Sequence, residues 1–287
     1  MFSEYKICLK NPFAEEIIDL VFFRPLGYVF VKIAFPFPIT PNQISLCALL
    51  IGTGAGFVFS FGTASAFCIG AMVYGLSNIL DCSDGMLARL KKNGSPVGRI
   101  VDGVIDYITG VSVFVGLGIG LSKALSMHTV ALPCNAWILV IAAATSTIFH
   151  AVFSDYFRNS FLDRQKDPLR TIDNEHEEFK KELVHLKKNR GNYITMLLIT
   201  LYLGYMKLQS ANKSKAKIKI RHKVRVRTVI AWNLIGPSTH IAMMIIAMIL
   251  LKPAIFFFYT IVFANCWMLA LLLWGIFSKK PSVAVSN

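Results

Sequence analysis

The chain has 287 residues, of which 55% are apolar and 22 are Phe, with a mean hydropathy of +0.56 and a formal net charge of +14. That balance excludes an ordinary soluble enzyme and a disordered tail, and it points to a chain whose solvent is largely lipid. One membrane bundle is expected, not the two soluble domains that length alone would suggest.

In chain order, residues 12–38 read first as an amphipathic helix lying at the membrane interface. Phe, Leu and Val fall on one side, and Arg24 and Lys32 on the other. No secretory signal is read there, because Arg24 and Pro25 interrupt the apolar run after Ile17 and no small-residue cleavage site follows, so the N-terminus is expected to be retained. Six spans follow at about 43–62, 64–84, 99–122, 129–153, 228–250 and 254–276, each near the length a bilayer requires. The expected fold is all-α: a polytopic six-transmembrane-helix bundle with an N-terminal amphipathic juxtamembrane helix and a long basic cytosolic loop. It is read as a single membrane domain over 1–287. Residues 1–40 form its juxtamembrane segment, 41–153 the first four spans, 154–227 the basic insertion, 228–277 the last two spans and 278–287 a tail.

The cations orient the bundle. With these spans, the loops around 63, 123–128 and 251–253 hold only Lys123 and Lys252 of the 30 Lys and Arg. Cytoplasmic loops carry the cations, so the opposite face and both termini are expected in the cytoplasm. Residues 153–227 alone contain 18 Lys and Arg against 8 Asp and Glu, which supplies most of the net charge.

Gly52, Gly54 and Gly56 in the first span, and Gly116, Gly118 and Gly120 in the third, are small residues that let membrane helices approach closely. The chemistry lies between them. Asp81 and Asp84 share one helix face, with Gly85 and Ala88 on the same stripe; Gly98, Asp102 and Asp106 succeed one another at i, i+4. A turn from Lys91 to Val97 containing Asn93-Gly94-Ser95-Pro96 reverses the chain, so the two stripes face each other. Even one aspartate inside a span costs roughly 2.5–3.5 kcal/mol on insertion scales, so acids without a task tend to be absent. Four carboxylates in one site carry a charge of about −4, which two divalent cations would neutralise. With carboxylate oxygens alone on offer, Mg²⁺ or Mn²⁺ is favoured over zinc.

At fixed spacing, Asp81, Asp84, Gly85, Ala88, Arg89, Gly98, Asp102 and Asp106 resemble the signature of the CDP-alcohol phosphotransferase family. Thr40-Pro41-Asn42-Gln43-Ile44-Ser45 resembles the segment that opens the first full span in that family. The likeness is good over roughly residues 20–155. It implies transfer of a phosphoalcohol group from a CDP-alcohol to a hydroxyl with loss of CMP, most often from CDP-diacylglycerol in phospholipid biosynthesis. It further implies that Asp81, Asp84, Asp102 and Asp106 are metal ligands for two Mg²⁺ or Mn²⁺ ions, with Asp106 either a ligand or the catalytic base. Gly85 and Ala88 would leave room for cytidine, Arg89 and Gly98 would frame the nucleotide, and Asn42 would contact it. Dimerisation is what the family suggests. Two other readings stay open: transfer from CDP-choline or CDP-ethanolamine to diacylglycerol, and an ion site in a transporter.

Further along, Arg158 in Asp155-Tyr156-Phe157-Arg158-Asn159 is a candidate for holding an acceptor phosphate, or an interfacial anchor. Asn174–Lys188 reads as a surface helix, and Tyr193–Leu208 as an apolar stretch too short to span, resting on the membrane. Lys213, Lys215, Lys217, Lys219, Arg221, Lys223, Arg225 and Arg227 form a cationic ladder, a topology signal or a site for anionic membrane lipid. Nucleic acid is not an expected partner, because no aromatics interleave these cations. In the fifth span, Trp232 to His240 contains Gly236-Pro237, so the helix is interrupted. His240 beside the break is a second candidate for acceptor contact, and a satisfied kink is the alternative. Asn265 is read as a hydrogen bond between helices. The six cysteines show no paired spacing and are read as reduced, buried fillers. The acceptor stays open among glycerol phosphate, inositol or its phosphate, and serine, with the basic loop and Arg158 favouring a phosphorylated polyol.

Overall fold

Thr40 opens the first membrane helix by closing a reciprocal cap. Gln43 N–H donates to Thr40 Oγ1 at 3.4 Å, Thr40 N–H donates to Gln43 Oε1 at 2.9 Å, and Pro41 fills the first helical position. The computed structural model describes residues 2–9, 14–94, 96–128, 132–162 and 226–277, with a few positions between 183 and 203. Every element among them is a helix: α1 (Phe2–Cys8), α2 (Arg24–Ala34) preceded by a π-helical turn Asp19–Phe23, α3 (Pro41–Phe59), α4 (Ala64–Leu90), α5 (Pro96–Ser126), α6 (Ala136–Leu162), α7 (Val226–Asn233), α8 (Pro237–Ile249), and α9 (Pro253–Phe257) running through π-helical Phe258–Phe263 into α10 (Ala264–Phe277). Among the described residues six stretches are long and apolar enough to cross a membrane: α3, α4, α5, α6, the broken pair α7–α8, and α9 with α10. The protein is an all-α polytopic membrane protein.

The glycine sets decide how closely the first spans pack. A Cβ on Gly116 or on Gly120 would fall onto the main-chain carbonyl of Gly56 or of Phe59, and one on Gly56 onto the backbone of Ser112. Bare backbones therefore touch between α3 and α5, where lipid supplies no hydrophobic drive and van der Waals contact must hold the helices together. Gly118 instead makes room for the Trp137 ring of α6, and Gly54 faces open space, with no packing reason to be glycine. The main core, with Phe59, Phe67, Val113, Leu117, Leu121, Met248 and Phe256, is fully or almost fully buried. It lies towards the end of the bundle away from the aspartates.

Several expectations need correcting. The helices outrun the apolar windows: α4 continues to Leu90 and α6 to Leu162, so Asp155 and Arg158 lie on a helix and not in a loop. Hydropathy marks where lipid ends, not where hydrogen bonding does. The fourth span begins at Ala136, behind an Asn135 side chain that accepts from Trp137 N–H at 2.9 Å. The juxtamembrane helix is shorter than 12–38, and its apolar residues lie on the side away from Arg24, as expected. Arg24, Tyr28 and Val31 face the protein, while Val21, Phe22, Leu26, Val29 and Ile33 are exposed; Arg24 is held by Glu15 at 2.6 Å. Lys32 is exposed as expected and pairs with Glu4 at 2.9 Å. All six cysteines are free, but only Cys8 is buried; Cys47, Cys134 and Cys266 are exposed. Asn174–Lys188, Tyr193–Leu208 and the cationic ladder up to Arg225 lie outside the described residues or touch them only at isolated positions.

Candidate active site

The reversal between α4 and α5 sets the site. Lys92 adopts φ +53°, Lys92 N–H donates to Arg89 O, and Asn93 N–H reaches back to Ala88 O at 3.1 Å. This is a left-handed helix stop carried by a lysine, not by the neighbouring Gly94. The Lys91 ammonium donates to Phe37 O at 2.8 Å and Ile39 O at 2.9 Å, which ties the entry to α3 against the end of α4.

This reversal brings together Asp81 and Asp84 from α4 and Asp102 from α5. One carboxylate oxygen of each lies within 4.8 Å of the others. Asp84 is buried, and Asp81 and Asp102 are half-buried. At an effective dielectric near 20, each ionised pair at that separation repels by about 3 kcal/mol. Three such groups in one place fit a cation, and an all-carboxylate set fits a hard one such as Mg²⁺ or Mn²⁺. Asp106 is exposed on α5 and lies outside this group of three.

The other signature positions lie on the same two helices, with Asn42 on α3. A Cβ on Gly85 would meet nothing but the Arg89 guanidinium, at 3.6 Å and beyond, so packing within the protein does not require glycine there. Arg89 Nε donates to Cys8 O at 2.5 Å, and its Nη2 is buried without a hydrogen-bond partner among the described residues. Ala88 and Gly98 are half-buried, and Asn42 is exposed in the first turn of α3. Sequence reasoning missed Ser45. Its hydroxyl hydrogen-bonds Asp84 Oδ2 from α3, and both residues are 5% exposed. The available signal was a hydroxyl on the stripe that follows a capped helix start.

The two acceptor candidates have partners of their own. Arg158 pairs with Asp155 one turn before it. His240 is buried, with Nε2 3.1 Å from His150 Nδ1 and Nδ1 3.2 Å from Thr260 Oγ1. The break between α7 and α8 is filled by Glu16 of the N-terminal segment. Thr239 N–H and its hydroxyl donate to Glu16 Oε2 at 3.1 and 3.3 Å, and a Cβ on Gly236 would strike that carboxyl group. Asn233 Nδ2 donates to Glu15 O at 2.9 Å. Burial pushes the Glu16 carboxyl up to about 8, Asp19 adds to the rise, and Arg158 with the Thr239 and Ser238 N–H groups opposes it. Burial also raises the Asp19 carboxyl.

Converging acids on two adjoining membrane-length helices make a candidate cation site. Residues 38–169 match the family model described as CDP-alcohol phosphatidyltransferase. Over 90 residues it is 31% identical to a bifunctional IPC transferase and DIPP synthase from Rubrobacter xylanophilus, covering 31% of this chain and 20% of that one. Over 73 residues it is 34% identical to a protein of the same name from Thermococcus kodakarensis, covering 25% of this chain and 16% of that one. The matched stretch thus spans a fifth or less of these relatives.

Proposed function

We propose that the protein transfers the phosphatidyl group of CDP-diacylglycerol to a polar alcohol with release of CMP, at a divalent-metal centre on the cytoplasmic side. The observation that carries this reading is the convergence of Asp81, Asp84 and Asp102 inside the family signature. These three would hold Mg²⁺ or Mn²⁺, with Asp106 as a further ligand if two ions bind. The bound dications would polarise the diphosphate oxygens and offset the charge that develops on the leaving CMP.

The chain's own groups do the rest. Asp106, exposed one turn beyond Asp102, takes the proton of the acceptor hydroxyl as its oxygen bonds to the phosphatidyl phosphorus and the bond to CMP breaks. The open space at Gly85 admits the cytidine, Arg89 Nη2 offers an unused donor to phosphate, and Asn42 and Gly98 frame the nucleotide from α3 and α5. The diacylglycerol tails stay in lipid while the headgroup enters sideways between helices. The basic insertion favours a phosphorylated polyol as acceptor, with Arg158 at the mouth.

The test is CMP release by the purified full chain with Mg²⁺ and CDP-diacylglycerol, offered glycerol phosphate, inositol, inositol phosphate or serine. CDP-choline with diacylglycerol serves as a competing pair. Release with one acceptor and no competition from CDP-choline is expected; no release with any acceptor refutes the proposal.

A further inference from the structure

Two serines cross the seam between α3 and α4, and they serve different acceptors. Ser77 on α4 donates to Ala48 O at 2.7 Å, a hydroxyl-to-carbonyl bond that joins the two helices. Ser45 on α3 has two acceptors within reach: Pro41 O at 3.2 Å on its own helix, and Asp84 Oδ2 across the seam. A hydroxyl has one proton to give, and a carboxylate takes it in preference to a carbonyl because charge-assisted hydrogen bonds are the stronger ones. Asp84 is also the most buried of the three converging acids, so it has the least water to orient it. Ser45 itself is held firmly. The Thr40–Gln43 cap fixes the start of α3, and Lys91 ties the segment before it to the end of α4.

We propose that Ser45 is a positioning residue for the metal centre: its hydroxyl sets the orientation of Asp84 towards the cation, so metal affinity depends on it while the fold does not. This rests on the metal-centre reading above. Groups that orient ligating carboxylates typically change metal affinity by 10–100-fold when removed, even though they never touch the ion.

The experiment titrates Mn²⁺ into the purified full chain in micelles, without substrate, and follows free Mn²⁺ by electron paramagnetic resonance. Ser45→Ala is expected to weaken binding by about tenfold or more. Ser45→Thr, which keeps the hydroxyl, is expected to restore it, and Ser77→Ala to leave it unchanged. If Ser45→Ala does not fold, Ser45→Cys, similar in size but a weak donor, takes its place with the same expectation. Tight binding by Ser45→Ala or Ser45→Cys, alongside loss in Asp84→Asn, overturns the role of Ser45 and leaves the metal centre standing. Unchanged binding in Asp84→Asn and Asp81→Asn as well means that the metal-centre reading has failed, and this inference with it.

Discussion

Between α4 and α5, three carboxylates stand within 4.8 Å of one another. Between α6, α8 and the last span, polar groups are as deeply buried but form a chain in which donors meet acceptors. Asn265 Nδ2 donates to Ser146 Oγ at 2.9 Å, so its Oδ1 faces His150 Nε2 at 3.3 Å and that nitrogen carries the proton. With neutral rings, His150 Nδ1 then accepts from His240 Nε2–H, and His240 Nδ1 accepts from the Thr260 hydroxyl. The two imidazoles lie nearly parallel, 4° apart. Unlike groups that satisfy each other inside a membrane need nothing from outside; like charges held together need a cation. That difference separates a structural polar seam from a chemical site, and an acceptor role for His240 would require one of its two bonds to open.

The sharpest way to break the comparison is to neutralise one acid at a time. Asp81→Asn, Asp84→Asn and Asp102→Asn are each expected to lower CMP release by about 10³-fold or more, as is chelation of the metal, while the variants stay folded. His150→Gln, on the satisfied seam, should leave activity per folded molecule nearly unchanged. Equal losses on both sides would erase the distinction.

Asp106 sharpens the same line. Its exposure and its place outside the triad fit a base better than a ligand. Asp106→Asn should then cut kcat by about 10²–10⁴-fold with Mn²⁺ affinity intact. A parallel fall in Mn²⁺ affinity would make it a ligand.

How much of this was written in the residues differs between the two regions. The convergence of the acids was readable because residues three or four apart share a helix face and a turn reverses the chain between the two helices, and the spans because apolar runs of that length have few other uses. The satisfied seam was not, since His150, Thr260 and Ser146 sit in different spans and no spacing in the chain announces that they meet. Asn265 was readable only as a helix-to-helix bond, without its partners. Arg24 was readable as lying on the side opposite the apolar residues, but not as buried against Glu15, because a cation on an interfacial helix usually points to water.

Packing extends the contrast to stability. Gly116→Ala places a methyl on the Gly56 carbonyl and should cost about 1–3 kcal/mol or more through separation of α3 from α5. Gly54→Ala meets open space and should be neutral or slightly stabilising, since alanine is the better helix former. Thermal unfolding in micelles reads both, and similar losses would mean that the glycines serve something other than close approach.

A further expected effect is a dependence on pH, and it belongs to the junction where Glu16 fills the break in the fifth span. Below about pH 4.5, the usual value for this carboxyl, it is protonated whether the chain is folded or not. Between there and about pH 8 the unfolded chain gives up that proton and the folded chain keeps it, so stability falls as pH rises through the window and levels off above it. Asp19, also raised by burial, slopes the same way. Glu16→Gln mimics the protonated form and can still accept from Thr239. Its melting temperature should therefore vary less between pH 5 and 8, and above pH 8 should exceed that of the unaltered protein by a few degrees. Two parallel pH profiles would mean that Glu16 ionises inside the fold without cost.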